Sequence, residues 1–298
     1  MNPATAARVG VVIVTYASGA DIGHALGSLP TAAMARVVVV DNASPDDTVA
    51  IVRALDLPNV EVVEQDNVGF GAGNDAGRAR LPATAEFVLF LNPDCVIQGS
   101  DIERLVGYLD AHPTCALVGP ALRDADGSLR TPGGTLPTPM TELRPLLPAP
   151  VGRFLVRRQL DGATARSGPV GYVEGACMLA RLDAFDAVGG FDRRYFLCFE
   201  EMDLAHRLSD AGWSVDLCLD ATATHAAQQS RAQVRAFSLY HQFRSQRLYL
   251  ERWHGEKAAQ RYAAAAGLCW WLRKATRNLS AADYRVLRAA SRKAQLPG

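Results

Sequence analysis

What this sequence has little of narrows its reading before any motif is considered. Its six cysteines, Cys95, Cys115, Cys177, Cys198, Cys218 and Cys269, include no CxxC pair, and no histidine spacing suits zinc. A disulfide framework and a zinc module are both excluded, and the thiols read as small buried hydrophobes in a reducing compartment. The longest apolar run, residues 262–272, is about half of the ~20 residues needed to span a bilayer. The N-terminus lacks the basic-then-apolar layout of a secretory leader. A cytoplasmic chain is therefore expected, one that can still lie peripherally on the inner face of the cell membrane. No internal repeat is present.

Net charge is also lacking, but only as a sum. The 31 basic and 31 acidic residues cancel, yet residues 231–298 hold 14 Lys and Arg against 3 Asp and Glu. An acidic body thus carries a basic tail. That asymmetry points to an anionic partner, either a membrane surface or a polyphosphate, or else to docking of basic helices on the acidic body. Arg244, Arg247, Arg252, Arg261, Trp270, Trp271, Arg273, Lys274 and Arg277 mix charge with aromatic rings as an interfacial helix does. No nucleic-acid motif accompanies them, so nucleic acid is not expected as a partner. With 49% hydrophobic residues in 298, the chain can bury one sizeable core plus an appendage. We divide it into a catalytic domain, 1–230, and a helical extension, 231–298.

Short β-branched runs at Val9–Thr15 and residues 37–41, 60–64 and 87–92 alternate with helix-like stretches at 21–28, 46–55, 73–80 and 102–111. This alternation predicts an α/β fold, a mostly parallel sheet flanked by helices. Ligands of such sheets bind beyond the carboxyl ends of the strands. Those ends carry Thr15 and Tyr16, then Asp41, then Asn67 to Gly73, then Asn92-Pro93-Asp94. Residues 131–168, rich in Pro and Gly, read as a lid, an acceptor-facing loop or a variable surface insertion. Beyond them come the strand-like GYVEGACMLAR, a short helix at 182–188, a turn at Gly189-Gly190 and a helix over 201–211 ending at Gly212.

Several constellations along this frame carry chemistry. Asp41 can cap the turn that follows it or accept the imide N–H of a uracil or thymine ring. NVGFGAGNDAG, residues 67–77, places glycines where backbone turns sharply or approaches a ligand. Asn67, Gly69, Gly71 and Asn74 join the nucleotide-binding candidates on that ground. FVLFLNPDC delivers Asp94 to the sheet edge, where a carboxylate can hold Mg²⁺ or Mn²⁺ beside diphosphate oxygens. FEEMDLAHRLSDAGW gathers Glu200, Glu201 and Asp203 at a helix start. Capping accounts for one such carboxylate, and three together point to a proton acceptor and its supports. Glu174, Gly175 and Ala176 are expected to floor the site. Phe191 and Trp213 read as core rather than as a sugar platform.

Taken in order, VVIVTY, VVVVDNAS, NVGFGAGNDAG, FVLFLNPD, VEGACMLARLDAFDAVGGFD, FEEMDLAHRLSDAGW and THAAQQS make the chain resemble glycosyltransferase family 2 across residues 9–230. The resemblance is strongest to the bacterial rhamnosyltransferase-like branch of that family. It implies the A-type glycosyltransferase fold and an inverting, metal-dependent sugar transfer. The donor would be a dTDP- or UDP-linked sugar, with dTDP-rhamnose first, and the acceptor a glycan or a polyprenyl-diphosphate-linked glycan of the cell envelope. It also implies that Thr15, Tyr16 and Asp41 hold the nucleoside, and that Asn92 and Asp94 stand where the usual DxD motif binds metal. His225 would assist at the metal or diphosphate, and the acidic pair Glu200-Glu201 would supply the base, Glu201 being our choice. Two departures stand out, Glu201 where many relatives carry aspartate and Asn92 in place of the first aspartate. The alternatives are a UDP-hexose or UDP-galactofuranose transferase, and a non-catalytic nucleotide- or glycan-binding module. A sugar nucleotidyltransferase is disfavoured because TYASGAD lacks its Gly- and Arg-rich loop.

Overall fold

The computed structural model describes residues 1–130, 132–147, 166–226, 235–276 and 279–291. Its strands are β1 (Val9–Thr15), β2 (Arg36–Asn42), β3 (Val60–Gln65), β4 (Phe87–Leu91), β5 (Cys95–Ile97), β6 (Cys115–Arg123), β7 (Leu129–Arg130), β8 (Gly133–Gly134), β9 (Gly168–Pro169), β10 (Tyr172–Val173), β11 (Cys177–Arg181) and β12 (Ser214–His225). The α-helices among the described residues are α1 (Pro3–Ala6), α2 (Ile22–Gly27), α3 (Thr48–Ala54), α4 (Phe70–Arg78), α5 (Gly99–Ala111), α6 (Pro139–Leu143), α7 (Leu182–Ala187), α8 (Glu200–Asp210), α9 (Arg235–His254), α10 (Glu256–Ala275) and α11 (Ala281–Ser291).

The main sheet runs β3-β2-β1-β4-β11-β6-β12-β5. β3, β2, β1 and β4 are mutually parallel, as are β6 and β12. β11 is antiparallel to both of its neighbours, β4 and β6. Every residue of β1 is buried because side chains alternate between two covered faces. Val9, Val11 and Ile13 pack with Ile22 and Leu26 of α2 and Ile102 and Leu105 of α5. Val12 and Val14 pack on the other face with Phe185 of α7 and Leu204 and Leu208 of α8. Phe191 belongs to this second core and Trp213 packs against it, in keeping with the core reading of both rings.

Two elements differ from expectation. GYVEGACMLAR is not one strand: Tyr172–Val173 pairs with Gly133–Gly134 in a separate two-stranded sheet, and only Cys177–Arg181 joins the main sheet. The Glu174 N–H is drawn to the Pro132 carbonyl at 2.8 Å, which diverts the backbone between the two. α4 starts at Phe70 rather than at residue 73. Gly69, at φ +92°, turns the chain, and the Phe196 carbonyl accepts the Phe70 N–H at 2.9 Å. The glycines that follow are therefore helical, and they let α4 press on the sheet. A Cβ at Gly77 would lie 2.4 Å from Val12 Cγ1, and one at Gly73 3.0 Å from Val14 Cγ1.

α9, α10 and α11 pack around Phe243, Tyr249, Tyr262, Trp270 and Leu287, and this cluster includes Tyr195 and Phe199 from the segment before α8. Part of the basic tail thus docks on the acidic body. Arg252 Nη1 sits 2.6 Å from Asp192 and 3.1 Å from Asp203, and Arg247 donates to the Ser291 carbonyl. Trp270 is buried. Of the residues grouped above with an interfacial surface, Trp270 is thus in the interior and Arg247 and Arg252 are engaged by the protein itself. The boundary at 230, the AQQS end of the last matching motif, Arg277 and half of the Pro- and Gly-rich stretch lie outside the described residues.

Val12 is β-branched and fixed in a central strand, so the space at Gly77 cannot open by a rotamer change. Gly77→Ala is expected to destabilise the fold by about 1–3 kcal/mol, read as a lower urea midpoint with an unchanged slope.

Candidate active site

At the carboxyl end of β1, Thr15 is wholly buried and its hydroxyl donates to Asp41 Oδ1 at 2.9 Å. Asp41 Oδ2 accepts the Ser44 N–H at 2.9 Å, so the carboxylate does cap the turn after β2. Next to it, Gln65 donates to Asn42 Oδ1 at 2.8 Å, and Asn42 Nδ2 donates to the Gly69 carbonyl at 3.0 Å. Asn67 Oδ1 accepts the Gly69 N–H at 3.2 Å. This chain of bonds sets the ends of β1, β2 and β3 against the start of α4. Ala17 and Ala43, each just past one of these strand ends, have φ of 53° and 59°. Non-glycine residues adopt such angles only where surrounding structure compels them.

Tyr16 stands 42% exposed at this edge. With Thr15, Asn67 and Gly69 it borders a cavity of about 130 Å³ that Phe196 and Phe237 also line. A wider cleft of about 690 Å³ opens on the other side of Asp41, past Ser44, Asp46, Glu64 and Asp66. Gly71 and Asn74 face inward on α4 instead. A Cβ at Gly71 would meet Phe191 at 3.0 Å, and Asn74 is buried with its Nδ2 donating to the Phe70 carbonyl.

A second group forms where β5 pairs with the end of β12, in a register that sets His225 opposite Cys95. His225 Nε2 lies 3.1 Å from Asp94 Oδ1 and 3.4 Å from Asn92 Nδ2. The Asp94 carbonyl accepts the Ala226 N–H at 3.0 Å. Arg130, at the end of β7, completes the group with Nη1 3.2 Å from His225 Nδ1. No motif marked Arg130 in the sequence, where it is one arginine before a run of prolines and glycines. The described residues hold no cluster of three or more His, Cys, Asp and Glu side chains able to hold a metal alone. Asp94 and His225 nevertheless fit an ion whose other ligands come from a bound diphosphate. Two donors about 2.1 Å from one octahedral ion and at right angles lie about 3 Å apart, close to the 3.1 Å found between Asp94 Oδ1 and His225 Nε2.

The third group opens α8. Cys198 and Phe199 both have positive φ, 66° and 70°, so the backbone enters the helix under strain. Glu200 follows at 4% exposure, and neither Glu200 Oε2 nor Glu201 Oε2 meets a hydrogen-bond partner among the described residues. Burial pushes the Glu200 carboxyl well above the usual carboxylate range, with the neighbouring Glu201 charge adding to it. Burial likewise raises Glu201, to about 7, aided by the charge of Glu174. Asp203 differs in kind. It is fully buried, and its carboxylate accepts from Arg207 at 2.7 Å, Trp253 Nε1 at 3.0 Å and Tyr195 at 3.3 Å while pairing with Arg252. Asp203 is thereby a joint between α8 and α9.

Glu174, Gly175 and Ala176 connect the second and third groups. The Ala176 carbonyl accepts the Asn92 N–H at 2.9 Å, and Glu174 lies 3.6 Å from Arg130 Nε. Gly175 lies against Glu201, since a Cβ there would sit in van der Waals contact, 3.8 Å from both Glu201 Cβ and Cδ. A cation-suited carboxylate and a base-suited carboxylate thus flank one short stretch of backbone.

The model of the family described as "Glycosyl transferase family 2" matches residues 10–189. The chain is 31% identical over 264 residues to the N-acetylglucosaminyl-diphospho-decaprenol L-rhamnosyltransferase of Mycobacterium tuberculosis, covering 82% of this chain and 84% of that protein. It is 28% identical over 153 residues to the rhamnosyltransferase WbbL of Escherichia coli, covering 48% and 55% of the two chains. Among solved structures, the mannosyltransferase PcManGT from Pyrobaculum calidifontis, in complex with GDP-Man and Mn²⁺, matches with a TM-score of 0.54 and 20% identity over 95% of this chain and 79% of that one. GalNAc-T7 with UDP, GalNAc and Mn²⁺ matches with a TM-score of 0.59 and 14% identity over 95% and 54%. The sheet order and these likenesses give the A-type glycosyltransferase fold. On the family match and the M. tuberculosis relative together, the chain belongs to glycosyl transferase family 2 and is a glycosyltransferase.

Proposed function

We propose that the chain is an inverting, metal-dependent transferase that moves a sugar, rhamnose from dTDP-rhamnose in the first instance, onto a hydroxyl of a polyprenyl-diphosphate-linked glycan. The observation that carries this reading is the placement of Asp94 and Glu201 on either side of Glu174–Ala176, with Glu201 raised to about 7. The names of the mycobacterial and E. coli relatives favour rhamnose, and the name of the former favours the lipid-linked acceptor. In this reading Thr15, Tyr16, Asp41 and Asn67 receive the nucleoside at the ends of β1 to β3.

Glu201 accepts the proton of the acceptor hydroxyl as that oxygen bonds to the anomeric carbon. The bond from that carbon to the diphosphate breaks on the opposite face, so configuration inverts. Mg²⁺ or Mn²⁺ held by Asp94 and His225 would neutralise the charge that the leaving diphosphate acquires. Burial disfavours the charged form of Glu200 and so opposes a second negative charge beside the base.

The reading also places the protein peripherally on the inner face of the cell membrane. No helix among the described residues is long and apolar enough to cross one. α10 instead exposes Leu268, Trp271 and Leu272 at 59%, 55% and 45%. Lys257, Arg261 and Lys274 are exposed on the same helix. Apolar anchors bordered by basic residues suit an anionic bilayer surface.

Release of nucleoside diphosphate from a panel of dTDP- and UDP-sugars, with Mn²⁺ or EDTA and a polyprenyl-linked acceptor, tests the core of the proposal. We expect release from dTDP-rhamnose that needs metal and acceptor and falls about 10²–10⁴-fold in Glu201→Gln, with dTDP affinity unchanged. Full turnover by that variant would place the base elsewhere. A base must be ionised to act, so kcat/KM should rise as pH passes upward through about 7 and level off above it. A profile flat from pH 5.5 to 8.5 would contradict the role. In flotation with vesicles, binding should require anionic lipid, weaken with salt, and drop about tenfold when Trp271 and Leu272 are both changed to Ser. Equal binding by that variant would remove α10 from the membrane contact.

A further inference from the structure

Arg130 occupies a position that the mechanism above does not use. Its Nη1 is 3.2 Å from His225 Nδ1 and 3.6 Å from Asp124 Oδ1, and its Nε is 3.6 Å from Glu174 Oε2. The two carboxylates are beyond hydrogen-bond range, so the bond to the imidazole is the close one. A guanidinium has donors and no acceptor. His225 Nδ1 must therefore accept, which leaves the ring hydrogen on Nε2, where it is donated to Asp94 Oδ1 at 3.1 Å.

A metal-bound imidazole has the reverse arrangement. The ligating nitrogen carries no hydrogen, and the other ring nitrogen donates to a carboxylate, a carbonyl or water. While Arg130 holds Nδ1, Nε2 has no lone pair for an ion. The spacing of Asp94 and His225 suits the ion, and the hydrogen between them does not. Arg130 must leave His225 before both can ligate.

The chemistry around Arg130 indicates where it goes. Its side chain is 22% exposed, it sits across the His225 ring from the carboxylate that would receive the donor's metal, and its planar fork matches phosphate oxygens. We propose that Arg130 is a binding residue for the donor's diphosphate, and that its transfer from His225 to that diphosphate lets His225 Nδ1 take up a proton from water as Nε2 gives its own up to water, which leaves the Nε2 lone pair for the divalent ion. Donor and ion then bind cooperatively, because each removes what opposes the other. This inference rests on the donor reading of the site given above.

The test compares full-length wild type with Arg130→Gln and Arg130→Lys, after circular dichroism and melting show that the variants fold. Calorimetry in EDTA measures affinity for dTDP, UDP, thymidine and uridine, and electron paramagnetic resonance measures Mn²⁺ binding with and without the diphosphates. Arg130→Gln should weaken nucleoside diphosphate binding about tenfold or more, the worth of one charge-assisted hydrogen bond, and leave nucleoside binding unchanged. The same variant should bind Mn²⁺ more tightly than wild type in the absence of nucleotide. Its gain in Mn²⁺ affinity on adding the diphosphate should be smaller. Arg130→Lys, a cation without the planar fork, should fall between the two. This pairing of a loss with a gain is not expected of a residue that merely supports the fold. Diphosphate affinity equal in wild type and Arg130→Gln, or Mn²⁺ affinity that is unchanged or lower in the nucleotide-free variant, would overturn the inference while leaving the donor reading intact. Wild type that binds neither nucleosides nor their diphosphates would overturn the donor reading, and this inference with it.

Discussion

The site depends on the insertion of β11, antiparallel, between β4 and β6. Its register sets Cys177 opposite Leu91, and the next bond outward runs from the Asn92 N–H to the Ala176 carbonyl. That single alignment fixes how the Asn-Pro-Asp turn lies relative to the segment under Glu201. Because side chains alternate along a strand, a slip of one residue would exchange the two faces of β11. Met178 and Ala180 would then leave the core they share with Phe185 and Leu204 for the one built on α2 and α5. The burial that holds the sheet together therefore also holds the spacing of the two chemical groups.

Within the first turn of α8, three carboxylates have three different fates. Asp203 lies in the interior with Arg207, Arg252, Trp253 and Tyr195 around it. Glu200 and Glu201 each have an oxygen without a partner. Burying an unpaired carboxylate disfavours its ionised form, so neighbours on one helix are tuned apart. A group that ionises near neutrality, as Glu201 does, can take a proton and release it again.

Much of this was legible in the sequence. β1, β2 and β4 lie where the β-branched runs placed them, because covered strands need apolar side chains on both faces, and the edge strand β3, half-buried, matches its run as well. Asp94, His225, Glu200 and Glu201 could be singled out because carboxylates and imidazole at strand ends and helix starts have few structural reasons to cluster. Less legible were features set by contacts distant in sequence. The start of α4 depends on the Phe196 carbonyl, more than a hundred residues away. GYVEGACMLAR alternates well enough for one strand, and only the Pro132 carbonyl shows why it breaks. Asp203 read as a third acidic residue of the site until the partners from α9 were in view. Arg130 gave no local signal because its importance comes from His225, 95 residues further on.

The joint at Asp203 has a mechanical side. Arg252 and Trp253 end a helix of 20 residues, and they grip α8 two positions past Glu201. α9 and α10, which follow one another across Gly255 and pack together around Tyr262 and Trp270, are thus tied to α8 at a point beside the candidate base. The contacts at Asp203 therefore set the angle between α8 and α9 and the orientation of the Glu200-Glu201 turn together.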